Sequence, residues 1–225
     1  MPGKRHCPAE DSRRRTFLLF LMTIKSDHSR YDRAYFDRWY RNPSTRVKSG
    51  AGIQRKAALT LSMAEYYLER PVKNVLDVGC GEGNWLPVLR KLRPKILYTG
   101  VDASSYAVER YGKKCGIRLG SFGALEECGL EDSYDLIICS DTLFYLPLDE
   151  LKKGLCFLAP LTAGVAFLEL YTNKDSVIGD FPKKGLKSAD FYGSLLARYG
   201  FLSVGSHCYL GQEIAHHAME MERRG

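Results

Sequence analysis

The chain has 225 residues, of which 45% are hydrophobic and 26% charged, a composition that excludes disordered and fibrous classes. This length predicts one well-buried domain with an N-terminal appendage. The formal net charge is +7. Much of the positive excess lies in the first fifty residues, where it favours a solvated basic surface over an anion-binding one.

Cysteine spacing and hydropathy bear on the compartment. The seven cysteines are scattered, with no C-x-x-C pair, which favours reduced thiols in a cytoplasmic protein over a disulfide framework or a metal site. The apolar run at 17–23 is much shorter than the roughly 20 residues that a membrane span needs. We therefore expect a cytoplasmic protein with no membrane partner and no bound metal.

The chain divides into three predicted segments. Residues 1–21 are basic and are expected to form a flexible extension that adds little to the fold. Residues 22–70 predict a helical appendage or lid, and residues 71–225 predict the main domain. Function is therefore expected in the last segment and in its contacts with the second.

Two helices are predicted in the appendage. Tyr31, Tyr35 and Trp39 recur at four-residue spacing and so share one helical face. Such a stripe predicts either a helix fixed to the core or a lid that closes over a binding cleft. Arg46 adds a cation that could pair with a carboxylate of a substrate. The second helix is predicted at 52–68, because it must end before the next proline.

From residue 72 onward, short apolar runs alternate with helical stretches, the pattern of βαβ units in a parallel sheet. The predicted strands are 74–78, 96–101, 117–119, 135–139 and 165–170. The predicted helices are 84–92, 105–114, 148–158 and 188–199. Two later stretches, 202–210 and 214–221, flank Gly211-Gln212 and predict a hairpin. We therefore expect an α/β fold with a mostly parallel seven-stranded sheet, helices on both faces and a C-terminal antiparallel β-hairpin.

The strongest motif is an apolar strand that runs into glycines at 79, 81 and 83 and then into a helix. Glycines let the backbone turn sharply and approach a ligand that any Cβ would hold off. Asp102 ends the next strand, where a carboxylate can accept hydrogen bonds from both hydroxyls of a ribose. The combination predicts a nucleotide-binding site.

Residues 72–172 resemble the class I S-adenosylmethionine-dependent methyltransferases in two motifs. The motifs are Asp77-Val-Gly-Cys-Gly-Glu-Gly83 and Tyr134-Asp-Leu-Ile-Ile-Cys-Ser-Asp-Thr-Leu-Phe-Tyr-Leu-Pro147. The resemblance implies a Rossmann-like fold and a methyltransferase that uses S-adenosylmethionine and releases S-adenosylhomocysteine. The closing hairpin is also typical of that family.

The resemblance assigns cofactor contacts to several strand ends. It implies that Asp77 organises the methionine end, that the glycine backbone approaches the methionine and ribose, and that Asp102 holds the ribose. Ala103 would then lie against the adenine, and Tyr145 near the methyl donor. The full set of expected cofactor-binding residues is Asp77, Gly79, Cys80, Gly81, Asn84, Asp102, Ala103, Ala124, Leu125, Ser140, Asp141 and Tyr145.

The sequence departs from the family where an acid often follows the third strand to bind the adenine amino group. Counting back from Asp135 places that position at Gly123. Adenine is then expected to be read by backbone groups around Ala124 and Leu125, or by Glu126.

Two other interpretations of the glycine turn stay open. Nicotinamide-dependent dehydrogenases also pair such a turn with a distant acid. Against them, an acid precedes the first glycine, the bulky Asn84-Trp85 pair follows the last, and a hairpin replaces further βα units. A subunit that binds the cofactor without catalysis is the second alternative.

Catalysis can need few residues, because methyl transfer is an in-line displacement that requires orientation and, for a protonated acceptor, a base. Glu169 and Tyr171 end the fifth predicted strand at the ligand-binding edge, and Tyr145 follows the fourth; these are the candidate catalytic residues. Weaker candidates are the histidines at 207, 216 and 217. Of the last two, at most one can face a cleft if they lie on a strand.

Substrate-recognition segments of this family lie before the first strand and after the fourth and fifth. Here the expected substrate or lid residues are Tyr31, Tyr35, Trp39 and Arg46. Aromatic and basic side chains favour a small molecule, aromatic or carboxylate-bearing, that is methylated on oxygen or nitrogen. RNA, DNA or a protein is the alternative acceptor. No RNA-binding module or N-P-P-Y motif is visible, so nucleic acid is the less favoured partner.

Overall fold

The computed structural model describes residues 31–45, 50–131, 133–176 and 185–218. Its seven strands are β1 (Asn74–Val78), β2 (Leu97–Asp102), β3 (Ile117–Leu119), β4 (Tyr134–Cys139), β5 (Thr162–Leu168), β6 (Leu202–Gly205) and β7 (Cys208–Leu210). Their order is β3-β2-β1-β4-β5-β7-β6, with β7 antiparallel to β5 and β6 and all other pairs parallel. The predicted Rossmann-like, mostly parallel seven-stranded sheet is confirmed.

Helices cover both faces of the sheet, as predicted. They are α1 (Arg33–Phe36), α2 (Gly50–Leu68), α3 (Trp85–Leu92), α4 (Ser105–Cys115), α5 (Leu148–Leu158) and α6 (Ala189–Arg198). Alternate residues of β4 divide between the faces. Leu136 and Ile138 pack with α2 and α3, whereas Ile137 and Cys139 pack with α5 and α6. Among the residues that the structure describes, no helix is long and apolar enough to cross a membrane.

Helix α2 belongs to the core of the domain. Ile53, Ala57, Leu61 and Ala64 form a buried stripe at helical spacing. The stripe packs in one hydrophobic cluster with residues of β1, β4 and β5. Residues 50–68 of the predicted appendage therefore pack in the core with the main domain, whereas the predicted extension at 1–21 lies outside the described residues.

The C-terminal hairpin is confirmed, but its turn lies earlier than predicted. Ser206 and His207 have φ angles of 51° and 60°, the positive pair of a two-residue type I′ turn between β6 and β7. Gly211 serves close packing instead, because a Cβ there would overlap the carbonyl oxygen of Thr162. The stretch predicted as the second strand of the hairpin forms a 3₁₀ helix at Ala215–Ala218.

Two ion pairs close the amino edge of the sheet. Arg70 donates to both carboxylate oxygens of Asp135, at 2.8 and 2.7 Å, and the Lys73 amide donates to the same group at 2.7 Å. On α2, Glu65 accepts a hydrogen bond from Arg93 Nε at 2.6 Å. Burial alone would raise the pKa of Asp135, but these hydrogen bonds outweigh it and hold that pKa below its ordinary value.

Candidate active site

A cavity of about 250 Å³ opens at the carboxyl edge of the sheet. It lies where the chain order reverses between β1 and β4, because loops that follow both strands line it. The loops after β2 and β3, and the segment before α2, complete its walls. In open α/β sheets this reversal point is where ligands bind.

The glycine loop after β1 forms one wall through its backbone. Gly79 and Gly81 line the cavity with φ angles of 72° and 57°, which favour glycine. A Cβ on Gly79 would overlap the Thr142 side chain, and a Cβ on Gly81 would lie 2.5 Å from the Tyr40 hydroxyl. The backbone conformation therefore favours glycine at both positions, and the Thr142 side chain also leaves no room for a Cβ at Gly79.

Asp102 ends β2 and lines the same wall, next to Ala103. Its carboxylate oxygens accept hydrogen bonds from the backbone N–H of Gly81, at 2.6 Å, and of Ser104, at 2.9 Å. The Ser104 hydroxyl accepts from the Ala107 amide at 3.1 Å and so caps α4. The orientation of the Asp102 carboxylate is therefore set by the glycine loop and by the start of a helix.

Three expected cofactor residues, Asp77, Cys80 and Asn84, lie outside the cavity lining. Asp77 is buried and accepts a hydrogen bond from the Tyr98 hydroxyl at 2.7 Å. Burial first, and then the Asp77 charge, raises the pKa of Tyr98 and that of the Cys80 thiol well above their ordinary values. Both groups are therefore neutral at physiological pH and support the loop from inside the fold.

The loop after β3 reaches the cavity earlier than counting along the sequence predicts. Gly120, Ser121 and Phe122 line the cavity, whereas Ala124 and Leu125 do not. The chain enters a 3₁₀ helix at Phe122, the last of these lining residues, and this helix buries Leu125 in the core. Counting back from the fourth strand could not detect that inward turn.

The turn after β4 forms a further wall of the cavity. Asp141, Thr142 and Tyr145 line it. Asp141 has a φ of 57°, a left-handed conformation that is uncommon for residues other than glycine. Ser140 does not line the cavity, because its hydroxyl points to Glu169 and donates to it at 2.8 Å.

Of the three candidate catalytic residues, Tyr145 lines the cavity, and Glu169 and Tyr171 do not. The Glu169 carboxylate is buried and pairs with Lys56 Nζ at 2.6 Å. The Tyr171 hydroxyl donates to Asp141 Oδ1 at 3.1 Å. The chain directly after β5 therefore supplies groups that contact Ser140 and Asp141 from outside the cavity.

The histidine candidates also lie outside the cavity lining. His207 occupies the hairpin turn, and His216 and His217 lie on a 3₁₀ helix. The argument that a strand directs the last two to opposite faces is therefore wrong. His217 Nδ1 lies 3.2 Å from the carbonyl oxygen of Tyr67, on the side of α2.

The aromatic segment, residues 31–41, forms the remaining wall. Tyr31, Tyr35 and Tyr40 line the cavity, whereas Trp39 does not. The predicted four-residue spacing fails after Tyr35, because the chain continues as a π-helical turn. A π turn contains more residues than an α turn, so Tyr40 takes the position that the α-helical pattern gives to Trp39.

Two contacts attach the aromatic segment to the site. The Ser104 hydroxyl donates to the carbonyl oxygen of Tyr31 at 2.5 Å. At the other end, Arg41 forms an ion pair with Glu82 of the glycine loop. Arg46, the predicted substrate cation, lies outside the described residues.

This chain matches one family model over most of its length and several known proteins over part of its length. Residues 51–204 match the family model described as a methyltransferase domain. The malonyl-[acyl-carrier protein] O-methyltransferase of Bacillus cereus is 32% identical over 100 residues, which are 43% of this chain and 37% of that protein. The protein of the same name from Anoxybacillus flavithermus is 26% identical over 117 residues, 51% of this chain and 44% of that protein. The chain thus spans less than half the length of each.

Three crystal structures share the fold. The plantazolicin methyltransferase BamL, in complex with a triazolic desmethylPZN analog and SAH, has a TM-score of 0.57 and 17% identity, covering 78% of this chain and 76% of that one. A SAM-dependent methyltransferase from Archaeoglobus fulgidus has a TM-score of 0.55 and 16% identity, covering 76% and 74%. Magnesium protoporphyrin IX methyltransferase from Synechocystis PCC 6803, with bound SAM, has a TM-score of 0.52 and 19% identity, covering 81% and 91%.

Proposed function

We propose that this chain methylates an oxygen or nitrogen atom of a small molecule. The chain belongs to the methyltransferase-domain family and is a Rossmann-like S-adenosylmethionine-dependent methyltransferase. The observation that carries the proposal is one cavity with two kinds of wall. The glycine loop and Asp102 suit the cofactor. The aromatic segment and the turn after β4 suit an acceptor beside it.

The cofactor wall fits a nucleoside that carries an amino-acid end. Asp102, which two backbone amides orient, would accept hydrogen bonds from the ribose hydroxyls. The backbone of Gly79 and Gly81, which lines the cavity, would contact the methionine end. Ala103 and Phe122 offer apolar surface to the adenine. We propose these five residues as cofactor contacts. In the loop after β3, we propose Gly120 and Ser121 as adenine contacts in place of Ala124 and Leu125.

Bound S-adenosylmethionine would supply an activated methyl group, so the main task of the protein is to orient the two reactants. Tyr145 is our candidate to orient the acceptor atom by a hydrogen bond from its hydroxyl, because Tyr145 lines the cavity. The aromatic segment would exclude water from the closed site. We propose no direct role for Glu169 in proton transfer. Its carboxylate does not line the cavity and is bonded to Lys56 and Ser140.

The charges of the lining favour a neutral or cationic acceptor. Asp102 and Asp141 are the ionisable acids there, and the described lining contains no Lys, Arg or His. Aromatic rings, including Tyr35 and Tyr40, can stack on an aromatic acceptor or stabilise a cation at their faces. A carboxylate-bearing acceptor gains no cationic partner from these walls, so we propose an aromatic alcohol or amine over a carboxylate.

The cofactor assignment is tested by Asp102→Ala. We expect binding of S-adenosylhomocysteine, measured by isothermal titration calorimetry, to weaken by about 1.5 to 3 kcal/mol, the scale of a lost charged hydrogen bond. Asp190→Ala, on the exposed first turn of α6, is the matched control and should bind like the parent. Unchanged affinity in Asp102→Ala would contradict the ribose assignment. A parent protein that binds no S-adenosylhomocysteine would contradict the proposed function itself.

A further inference from the structure

A buried polar cluster lies behind the cavity, where β4 and β5 end. Glu169 Oε1 is 2.6 Å from Lys56 Nζ, and Glu169 Oε2 accepts hydrogen bonds from Lys56 Nζ and from the Ser140 hydroxyl, both at 2.8 Å. Glu169 and Ser140 are each about 95% buried, at 5% and 4% exposure. Three elements meet in this cluster, because Lys56 lies on α2 and the other two residues follow neighbouring strands.

The cluster is costly for the fold. A buried carboxylate must be paired and hydrogen-bonded, and well-packed apolar side chains of similar size often stabilise a core as well or better. The two strand ends are already joined without it, because the Glu169 amide donates to the carbonyl oxygen of Cys139 at 3.0 Å. Its contribution must therefore be sought in what Ser140 holds in place.

Ser140 precedes the turn that shapes the cavity. Asp141 has a φ of 57°, a conformation that persists in a non-glycine residue only when its surroundings fix it. Tyr171 fixes the Asp141 side chain through a hydrogen bond of 3.1 Å to Oδ1. The next residue, Thr142, lies so close to Gly79 that no Cβ fits between them. The position of this turn therefore sets the distance between the two walls of the cavity.

We propose that Lys56 and Glu169 are positioning residues that act through Ser140 to hold the Asp141–Thr142 turn in its strained conformation. The cluster neither lines the cavity nor contacts the Asp102 carboxylate. Its loss should therefore loosen the turn after β4 and leave the cofactor wall ordered. The inference rests on the proposed function only in the purpose that it gives to the turn.

Two backbone amides report on the two walls separately. The Tyr145 amide donates to Thr142 O at 3.1 Å, across the turn after β4. The Gly81 amide donates to Asp102 at 2.6 Å, on the cofactor wall. Their hydrogen-exchange rates, measured by NMR on the full ¹⁵N-labelled chain with and without S-adenosylhomocysteine, compare the order of the walls in one sample.

In Glu169→Gln and in Lys56→Met we expect the hydrogen-exchange rate of the Tyr145 amide to rise by at least about tenfold. This is the effect of losing a hydrogen bond to a charged group. The exchange rate of the Gly81 amide should stay within about twofold of the parent rate. Lys56→Arg keeps the charge and the donors and should restore the parent rate at Tyr145. Lys152→Met, on the outer side of α5, is the control for removing a lysine and should change neither rate.

Unchanged exchange at Tyr145, or an equal rise at both amides, would overturn the inference, since the second result indicates a general loss of stability. If Glu169→Gln does not fold, Lys56→Met decides, because the Lys56 side chain is 33% exposed and its loss is easier to tolerate. If the parent binds no S-adenosylhomocysteine, the proposed function fails. The exchange rates of the ligand-free protein still decide the positioning role in that case.

Discussion

Paired carboxylates hold both edges of the sheet, and they serve different purposes at the two edges. At the amino edge, Asp135 pairs with Arg70 and Glu65 pairs with Arg93. At the carboxyl edge, Glu169 pairs with Lys56. Helix α2 contributes to both edges, since its residues 56 and 65 lie nine positions, or about 13 Å, apart along the axis.

The partners distinguish the two edges. Carboxylates at the amino edge bind arginine side chains and the backbone amides of the chain just before β1, where no residue lines the cavity. The carboxylate at the carboxyl edge binds a lysine and a serine that precedes a strained cavity turn. The same chemistry therefore fixes strand starts at one edge and shapes a site at the other.

The first way to break this comparison is Asp135→Ala, for which we expect the largest change in stability. The substitution leaves the Arg70 guanidinium and the Lys73 amide without their acceptor. We expect the free energy of unfolding, measured by urea denaturation, to fall by about 2 to 3 kcal/mol. This is below the 3 to 5 kcal/mol typical of a fully buried pair, because the Arg70 side chain is 39% exposed.

The control for this variant is Asp149→Ala, whose carboxylate is 91% exposed and lies 4.0 Å from Lys152. It should change the unfolding free energy by no more than about 0.5 kcal/mol. The folded fraction of Asp135→Ala should still bind S-adenosylhomocysteine like the parent. Weakened binding there would mean that the amino edge also shapes the site, and the comparison would fail.

The sequence predicts what neighbouring residues determine. The strand, the glycine loop and Asp102 lie within thirty positions of one another, and their spacing alone indicates a nucleotide site. The cluster behind the cavity brings together residues 113 positions apart, Lys56 and Glu169. Nothing local in the sequence pairs them, so the position of Glu169 at a strand end predicts a candidate catalytic base.

Two other differences between the prediction and the structure come from backbone conformations that the residue composition does not reveal. Helical periodicity assumes an α-helix, so it cannot predict the π turn that places Tyr40 instead of Trp39 on the cavity. Turn statistics favour glycine and so predict the hairpin turn at Gly211-Gln212, whereas Ser206 and His207 form it with positive φ angles. In both cases tertiary packing decides between local alternatives.

The second prediction sharpens the comparison with one conservative change at each edge. Glu65→Gln should lower the free energy of unfolding by about 1 to 2 kcal/mol, because the amide keeps part of the hydrogen bonding to Arg93 and to the Val72 amide. Hydrogen exchange at Tyr145 should then rise no more than at other amides. In Glu169→Gln, by contrast, exchange at Tyr145 should rise more than at other amides. A selective rise at Tyr145 in Glu65→Gln would therefore contradict the conclusion that only the carboxyl-edge pair shapes the site.

The last prediction concerns the aromatic segment, whose Arg41 end is attached to the site by contacts near the surface. Arg41 forms an ion pair with Glu82 of the glycine loop and donates to the Tyr111 hydroxyl at 2.9 Å. The Arg41 side chain is 38% exposed, so solvent screens the pair and its contribution is small. In Arg41→Ala we expect binding of S-adenosylhomocysteine to weaken by about two- to fivefold, which corresponds to about 0.4 to 1 kcal/mol.

Arg33→Ala gives the matched comparison within the same segment. Among the described residues, Arg33 forms an ion pair with Asp37 alone, and both side chains are largely exposed. This variant should therefore bind S-adenosylhomocysteine like the parent in calorimetry. A selective effect of Arg41→Ala would indicate that the segment acts as a lid held to the glycine loop. Equal affinities in both variants and the parent would contradict the lid and make the segment a fixed part of the core, held by the Ser104–Tyr31 hydrogen bond and by the packing of its aromatic rings.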